Sequence, residues 1–235
     1  MNEATQKPDL PERWRVSAEM IGREKMPVVQ IDNFVAEPDR LVADARTADF
    51  QAIAPYYPGV RAAVRAPYFA DISQGLTLIL AGIFGYQRGF KLEECVYSLV
   101  TRPADELAPM QSMPHFDGVN DRKLALLHYM CETNAGGTAF YRHRSTGYEV
   151  VTDARFPGYK KALEADVARV GMPKKDYPRG SSDLFEQTAR YAAAYNRAII
   201  YPGIVLHSID IPEDFPFNAD AESGRLTVNS FLTPL

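Results

Sequence analysis

The apolar positions in the first third of the chain predict one strand and two helices. Residues 27–31, Pro-Val-Val-Gln-Ile, form a short β-branched run that predicts a strand. Pro38 is suited to a first helical turn, and the pattern after it predicts a helix to about Thr47. A second helix is predicted from Ser73, a candidate N-cap, and should be well buried because apolar residues surround it. Between the helices, the prolines and tyrosines of residues 51–70 predict irregular structure.

From residue 92 onward the pattern changes to short β-rich runs separated by turns. The run Leu124–Cys131 is apolar at nearly every position, which is typical of a strand covered on both faces. Residues 185–195 fit either a helix or a strand that pairs with residues 198–201. The predicted strands are 94–100, 124–131, 138–143, 199–201, 204–209 and 225–232. This succession predicts a mainly β fold with flanking helices, built as a jelly-roll barrel.

Two segments do not follow the barrel pattern. Residues 1–25 are polar, with scattered charge and prolines, and we expect a flexible N-terminal arm there. Residues 26–235 should then form a single domain, because a segment of this length is of a usual size for one domain. Within it, residues 153–190 are predicted to be an insertion, with a helix over 158–170 and then a loop rich in proline and lysine.

Composition excludes several classes of protein. The chain has 235 residues and a net charge of −4, so it lacks the basic excess typical of nucleic-acid binding. Its two cysteines, Cys95 and Cys131, are too few for a disulfide framework, and we expect buried free thiols in a reducing compartment. The first residues contain no apolar signal core, and the longest near-apolar run, 76–86, is too short to span a bilayer. We therefore expect a cytoplasmic protein with neither a membrane nor a nucleic-acid partner.

Candidate chemistry begins with His115, Asp117 and His207. Residues two apart in a strand point to the same face, so His115 and Asp117 can aim at one point, and His207 ends a distant apolar strand. Two imidazoles and one carboxylate are the ligands of non-haem Fe(II) oxygenases, which keep the other coordination positions open. The alternative is that His-x-Asp is a chance match and that a histidine in an apolar strand is simply packed and hydrogen-bonded.

The other two of the four histidines are weaker candidates. His128 lies inside an apolar run, where it is either a core residue or a support for the ligands. His143 stands between Arg142 and Arg144, and this positive charge disfavours a metal ligand. We expect His143 at the surface or facing the substrate.

Arg225 opens the last predicted strand in the sequence Gly-Arg-Leu-Thr. A guanidinium can grip a carboxylate through two parallel hydrogen bonds, and Thr227 would share its face of the strand. The alternative is a surface arginine at a strand edge. The order of the elements, with a ligand pair, a distal histidine and then this arginine, favours a carboxylate clamp.

Three sequence blocks carry a resemblance to a known family. They are His-Phe-Asp at 115–117, the strand 127–131 followed by Asn-Ala-Gly-Gly-Thr-Ala-Phe at 134–140, and Leu-His-Ser at 206–208 with Gly-Arg-Leu-Thr at 224–227. Together they resemble the 2-oxoglutarate/Fe(II)-dependent dioxygenases, closest to a bacterial subgroup of the prolyl-4-hydroxylase-like branch. The resemblance implies a cupin-like double-stranded β-helix. It also implies Fe(II) as cofactor and 2-oxoglutarate as co-substrate.

The resemblance assigns roles to individual residues. It implies that Fe(II) is held by His115, Asp117 and His207, and that 2-oxoglutarate is held by Arg225, Thr227 and Tyr129. The expected reaction uses O₂ to hydroxylate an amino acid, a peptide or a small molecule, while 2-oxoglutarate is decarboxylated to succinate. Two features depart from the family. The interval from His207 to Arg225 is longer than usual, and the basic residue of the nearest branch is often lysine.

Other functions and the substrate stay open at this point. The same three ligands could hold Zn²⁺ for hydrolysis or isomerisation. A barrel without turnover could bind a small carboxylate or a protein partner. A groove lined by Tyr56, Tyr57 and Tyr68 could receive the substrate, and Arg142 with Arg144 could attract an acidic one. Tyrosines and arginines are as readily structural or solvated.

Overall fold

A computed structural model describes residues 9–53 and 57–235 of the chain. This part contains three α-helices and eleven strands. The helices are α1 (Pro38–Arg46), α2 (Ser73–Phe84) and α3 (Phe156–Val170). The strands are β1 (Arg15–Ile21), β2 (Met26–Asp32), β3 (Gln51–Ala52), β4 (Gly59–Ala63), β5 (Phe90–Val100), β6 (Leu124–Tyr129), β7 (Gly137–His143), β8 (Phe185–Ala192), β9 (Arg197–Pro202), β10 (His207–Asp210) and β11 (Arg225–Pro234). No helix in these two ranges is both long and apolar enough to cross a bilayer.

The strands form two antiparallel sheets, which we call the large and the small sheet. The large sheet has eight strands in the order β1-β2-β9-β6-β11-β5-β4-β3, and the small sheet has the order β10-β7-β8. One apolar cluster joins Tyr129 and Tyr201 of the large sheet to Phe140 of the small sheet, so the sheets face each other across a shared core. The architecture is the predicted double-stranded β-helix, mainly β with flanking helices.

The helices α1 and α2 cover the outer face of the large sheet. Leu41 of α1 and Leu76 of α2 belong to a second apolar cluster with sheet residues such as Ile31 and Val228. Both faces of the sheet are therefore covered around β6 and β9, which explains why these two strands are apolar at most positions. The helix α2 is less enclosed than its sequence suggests, because Ile83 is 37% exposed.

The prediction of a flexible arm over residues 1–25 is wrong for its second half. Residues 15–21 form β1, which pairs with β2 along its whole length, and residues 1–8 lie outside the described part of the chain. The indole Nε1 of Trp14 also donates a hydrogen bond to the carbonyl oxygen of Phe34 at 2.7 Å. Most side chains of β1 are exposed and its pairing uses backbone groups, so its polar sequence did not indicate order.

The segment 51–70 is also more regular than predicted. It contains the short hairpin of β3 and β4, and β4 pairs with β5. Because β4 is a five-residue strand between prolines, its β character was masked by turn residues. The predicted wall residue Tyr56 lies outside the described residues.

The segment predicted to be an insertion contains α3 and the loop that follows it. Residues 185–192 form β8, so the strand alternative was the right one for this part. Its partner is β7 rather than the predicted residues 198–201. The helix α3 packs on the small sheet, where Tyr159 contacts a cluster that includes Tyr141 and Phe185.

Candidate metal centre

The His115–Asp117 segment lies against the end of β10. The backbone N–H of His115 donates to the carbonyl oxygen of His207 at 2.8 Å, and the N–H of His207 donates back to His115 at 2.8 Å. The N–H of Asp117 then donates to the carbonyl oxygen of Gly203 at 2.7 Å. This antiparallel pairing brings together two histidines that are far apart in the sequence.

The three side chains meet at one point. The Nε2 atom of His115 is 4.0 Å from Oδ1 of Asp117, and Nε2 of His207 is 3.6 Å from Oδ2 of Asp117. One potential ligand atom from each residue lies within 4.8 Å of the others. Within residues 9–53 and 57–235, this is the one group of three or more His, Cys, Asp or Glu side chains that could hold a metal ion. Small side-chain rotations would bring all three to bonding distance of one cation.

The protonation of the histidines suits a metal ligand. The Nδ1 atom of His207 is 2.8 Å from the carbonyl oxygen of Val205, so Nδ1 carries the proton and Nε2 keeps its lone pair toward Asp117. Burial lowers the pKa of His207 to about 4, against a smaller opposing effect of the Val205 bond. Desolvation, and then the neighbouring His207, lower the pKa of His115 to about 4. Both imidazoles are therefore neutral at pH 7, as metal binding requires.

Arg225 is buried inside the barrel. Its side chain donates from Nε to the carbonyl oxygen of Ala135 at 3.1 Å and from Nη2 to that of Gly137 at 2.7 Å. Its guanidinium carbon lies 5.6 Å from the ring centre of Tyr129. With 1% exposure it is not the surface arginine of the alternative interpretation. No carboxylate in the described ranges lies within ion-pair distance of it, which leaves a buried positive charge without a protein counter-ion.

Thr227 and Tyr129 lie beside each other on the inner face of the large sheet. They are partners in the β11–β6 register. The hydroxyl of Tyr129 is 2.7 Å from Oγ1 of Thr138, and Oγ1 of Thr227 donates to Oδ1 of Asn229 at 2.7 Å. Both hydroxyls thus have protein partners, and each keeps an acceptor lone pair for a further contact.

Sequence reasoning missed Tyr201, at the end of β9. Its ring centre is 4.9 Å from that of His207. Burial raises the pKa of Tyr201 well above its usual value, Asp117 and Tyr129 raise it further, and Arg225 opposes them. Tyr201 therefore lies beside the ligand cluster, on the inner face of the large sheet. Only its place at the end of a predicted strand could have indicated this role.

The other two histidines lie elsewhere. His128 is a core residue, with its ring nitrogens 3.1 Å from the hydroxyl of Tyr68 and 3.1 Å from Oδ1 of Asn196. The prediction of a surface or substrate-facing His143 is wrong. It is fully buried, 3.4 Å from a carboxylate oxygen of Asp166, because α3 covers the small sheet at that point.

The arginines that flank His143 have structural partners. Arg142 is buried and pairs with Glu149 at 2.8 Å and Glu186 at 2.9 Å. The Nε of Arg144 donates to the carbonyl oxygen of Ser182 at 2.8 Å. These contacts favour a structural role for Arg142 and Arg144 over attraction of an acidic substrate.

Fold and site together define a double-stranded β-helix protein with a candidate metal centre of two histidines and one aspartate. A family model matches residues 12–232, and the chain belongs to that family, the family of unknown function DUF6445. No curated protein sequence matches the chain.

Several solved structures have a similar chain trace. The non-haem alpha-ketoglutarate-dependent epimerase SnoN of nogalamycin biosynthesis is 12% identical, with 88% of this chain and 77% of that chain covered and a TM-score of 0.49. HygX from Streptomyces hygroscopicus, with nickel and 2-oxoglutarate bound, is 10% identical, with 88% and 82% covered and a TM-score of 0.45. A 2OG-Fe(II) oxygenase family oxidoreductase from Burkholderia pseudomallei is 8% identical, with 94% and 74% covered and a TM-score of 0.37. Identity this low says nothing about activity.

Proposed function

We propose that this protein is an Fe(II)- and 2-oxoglutarate-dependent oxygenase that hydroxylates a small molecule or a peptide. The observation that carries the proposal is the buried, uncompensated charge of Arg225 in the same barrel as the His-Asp-His cluster. A buried guanidinium without a carboxylate partner favours binding of an anionic ligand, and 2-oxoglutarate has one carboxylate to spare after it chelates a metal.

The residues of the cluster fit Fe(II). Two neutral imidazoles and one carboxylate leave open positions on the metal for a bidentate co-substrate and O₂. The side chain of His115 is 50% exposed, so the cluster is open on one side. When bound, Fe(II) and 2-oxoglutarate would supply the activation of O₂, the oxidant: one oxygen atom would enter succinate, formed from 2-oxoglutarate with release of CO₂, and the other would enter a C–H bond of the substrate.

The protein itself would position these groups and keep water out. The carbonyl oxygen of Val205 holds the His207 ring in one tautomer and orientation. The rings of Phe140 and Tyr201, 5.0 Å apart, close the barrel behind that histidine. Arg225 would grip the far carboxylate of 2-oxoglutarate, with Thr227 and Tyr129 beside it. Placement in the prolyl-4-hydroxylase-like branch is part of the proposal and is supported by the three sequence blocks alone.

The metal assignment can be tested by anaerobic titration with Fe(II) and 2-oxoglutarate. We expect the weak visible charge-transfer band of the chelate in the native protein. We expect its loss, together with loss of substrate-independent succinate formation, in His115→Ala, Asp117→Ala and His207→Ala. The exposed Asp121→Ala is the matched control and should keep both signals. A folded native protein without the band, or three variants that all retain turnover, would reject an iron oxygenase in favour of a zinc enzyme or a binding protein.

The clamp can be tested separately from the metal. Arg225→Met keeps the buried volume and removes the charge. The dissociation constant of 2-oxoglutarate should rise about 100-fold, which corresponds to the ~3 kcal/mol lost with a buried charge partner. Fe(II) affinity should change little, and the exposed Arg88→Gln should leave both constants unchanged. Equal loss of Fe(II) and 2-oxoglutarate affinity would argue against the clamp.

A further inference from the structure

One part of the large sheet's inner face is not covered by the small sheet. The inner face is identified by Tyr129, whose hydroxyl contacts Thr138 of the small sheet. Thr227 pairs with Tyr129 and therefore lies on the same face. Asn229 and Phe231 follow on the same face at alternate positions. Thr227 and Tyr129 are buried, whereas Asn229 and Phe231 are only half-buried. The inner face is therefore only partly covered beyond Thr227, and we call this part of it the chamber.

The same chamber continues across the neighbouring strands. Leu127 of β6 opposes Asn229, and so does Val96 of β5, and both are half-buried. Leu127 also packs against the inner apolar cluster. The chamber thus offers the apolar side chains of Leu127 and Val96 beside the amide of Asn229, with Glu94 opposite Phe231 on the same face.

Two cations stand at this chamber, each over an aromatic ring. Arg61 of β4 pairs with Ser98 of β5, and Ser98 pairs with Thr227 of β11. The side chain of Arg61 therefore lies on the same inner face as that of Thr227. Its guanidinium carbon is 4.4 Å from the ring centre of Tyr57. The ammonium of Lys123 is 4.1 Å from the ring centre of Phe231. Each ring holds its cation in place without neutralising the charge.

Neither cation has a close anionic partner. Arg61 is 4.0 Å from a carboxylate oxygen of Glu94, and Lys123 is 3.9 Å from one of Glu93, both at the limit of an ion pair. The buried Nε of Arg61 has no hydrogen-bond partner within the described ranges. By contrast, the buried Arg142 lies 2.8 Å from its glutamate. The two cations are thus held in position with unused hydrogen-bonding capacity.

Lys123 is also close to the candidate metal centre. The backbone N–H of Asp117 donates to the carbonyl oxygen of Gly203 at 2.7 Å, and the N–H of Gly203 donates to the carbonyl oxygen of Lys123 at 2.8 Å. A group held between these cations would therefore lie beside the cluster, where a substrate must be placed for its C–H bond to react.

We propose that this chamber is the substrate site and that Arg61 and Lys123 recognise an anionic group of the substrate, a carboxylate or a phosphate. The apolar part of that substrate lies against Leu127 and Phe231. This inference rests on the proposed function and names its substrate class.

The test uses the full-length protein loaded anaerobically with Fe(II) and saturating 2-oxoglutarate. Development of the charge-transfer band tests the proposed function before any substrate probe is added. Absence of the band at this stage would reject the proposed function and not the substrate site. Four probes on one scaffold are then titrated, and the shift of the band and of the thermal midpoint is followed. They are benzoate, phenyl phosphate, the neutral benzamide and the cationic benzylamine.

We expect saturable binding of benzoate or phenyl phosphate, at least about tenfold tighter than that of benzamide. The tighter of the two anions identifies the group as carboxylate or phosphate. In Arg61→Gln/Lys123→Gln the preference for the anion should disappear while the band itself persists. Arg88→Gln/Lys91→Gln, which removes two exposed cations, is the matched control and should keep the preference.

Three outcomes would overturn the inference. Equal binding of all four probes, or no saturable binding of any, would remove the anion site. Tighter binding of benzylamine would assign the chamber to Glu93 and Glu94 and to a cationic substrate. If benzoate abolished the band and more 2-oxoglutarate restored it, the two would compete for one site. The anion would then bind to Arg225 and not to Arg61 and Lys123.

Discussion

The buried His128 should make the stability of this fold sensitive to acid. Its ring lies between the hydroxyl of Tyr68 and the side-chain oxygen of Asn196, each 3.1 Å away, and against the ring of Phe34. The oxygen of Asn196 also accepts the backbone N–H of Val35 at 3.0 Å, so it must accept from Nε2 of His128 as well. The histidine is therefore neutral, with its proton on Nε2 and Nδ1 accepting from Tyr68.

The size of the effect follows from the pKa of His128. Burial lowers it from 6.5 to about 3, against a smaller opposing effect of the Asn196 bond. A lowered histidine pKa means that the unfolded chain binds the proton first. Stability is then present above pH 6.5 and is lost as the pH falls from there toward the folded pKa. At about pH 5 the loss from this one residue is ~2 kcal/mol.

The assay is urea unfolding at about pH 7.5 and pH 5 for the native chain and His128→Gln, which has no titrating ring. We expect the native free energy of unfolding to fall by ~2 kcal/mol more than that of the variant, because all other titrating groups are common to both. Tyr68→Phe is the control, because it removes a hydroxyl while His128 stays buried, and it should keep the native pH dependence. Parallel pH dependences for the native chain and His128→Gln would refute the buried neutral state.

Two further predictions concern stability. Gly137→Ala should destabilise the fold by more than about 2 kcal/mol in urea unfolding, since a Cβ there would lie 2.1 Å from the carbonyl oxygen of Tyr191. The control Gly158→Ala, in an open helical position, should be neutral or stabilising, and equal effects of the two substitutions would contradict the close packing at Gly137. Arg142→Met should cost about 3 kcal/mol, because it leaves the buried carboxylate of Glu149 without its closest cation, and recovery in Arg142→Met/Glu149→Gln would confirm that the penalty comes from the unpaired charge.

Most of the elements were predictable because their signals are local. The proline at the start of α1 and the apolar runs of β6 and β9 each produced an element within a few residues of the observed one. The strand β1 was missed because its side chains are mostly exposed and its pairing depends on backbone hydrogen bonds to β2. The pairing of β8 with β7 was missed because local sequence does not encode the choice between two possible partners.

The candidate site was predictable in part for a similar reason. His115, Asp117 and His207 carry ligand groups, and their order and positions at strand ends could be seen in the chain. Tyr201 and Arg61 are common residue types in unremarkable contexts, so no local signal separated them from other tyrosines and arginines. Only the strand register shows that both lie on the inner face.

Local sequence was enough to define the kinds of elements, the mainly β class and the residue types able to bind a metal and a carboxylate. These follow from periodicity and side-chain chemistry, which act over a few neighbouring residues. Only the tertiary structure could show that the predicted His207 meets His115, because the backbone bonds between them close across two distant segments of the chain. It also decided that Arg225 is buried without a carboxylate partner, since burial depends on the packing of one sheet over the other.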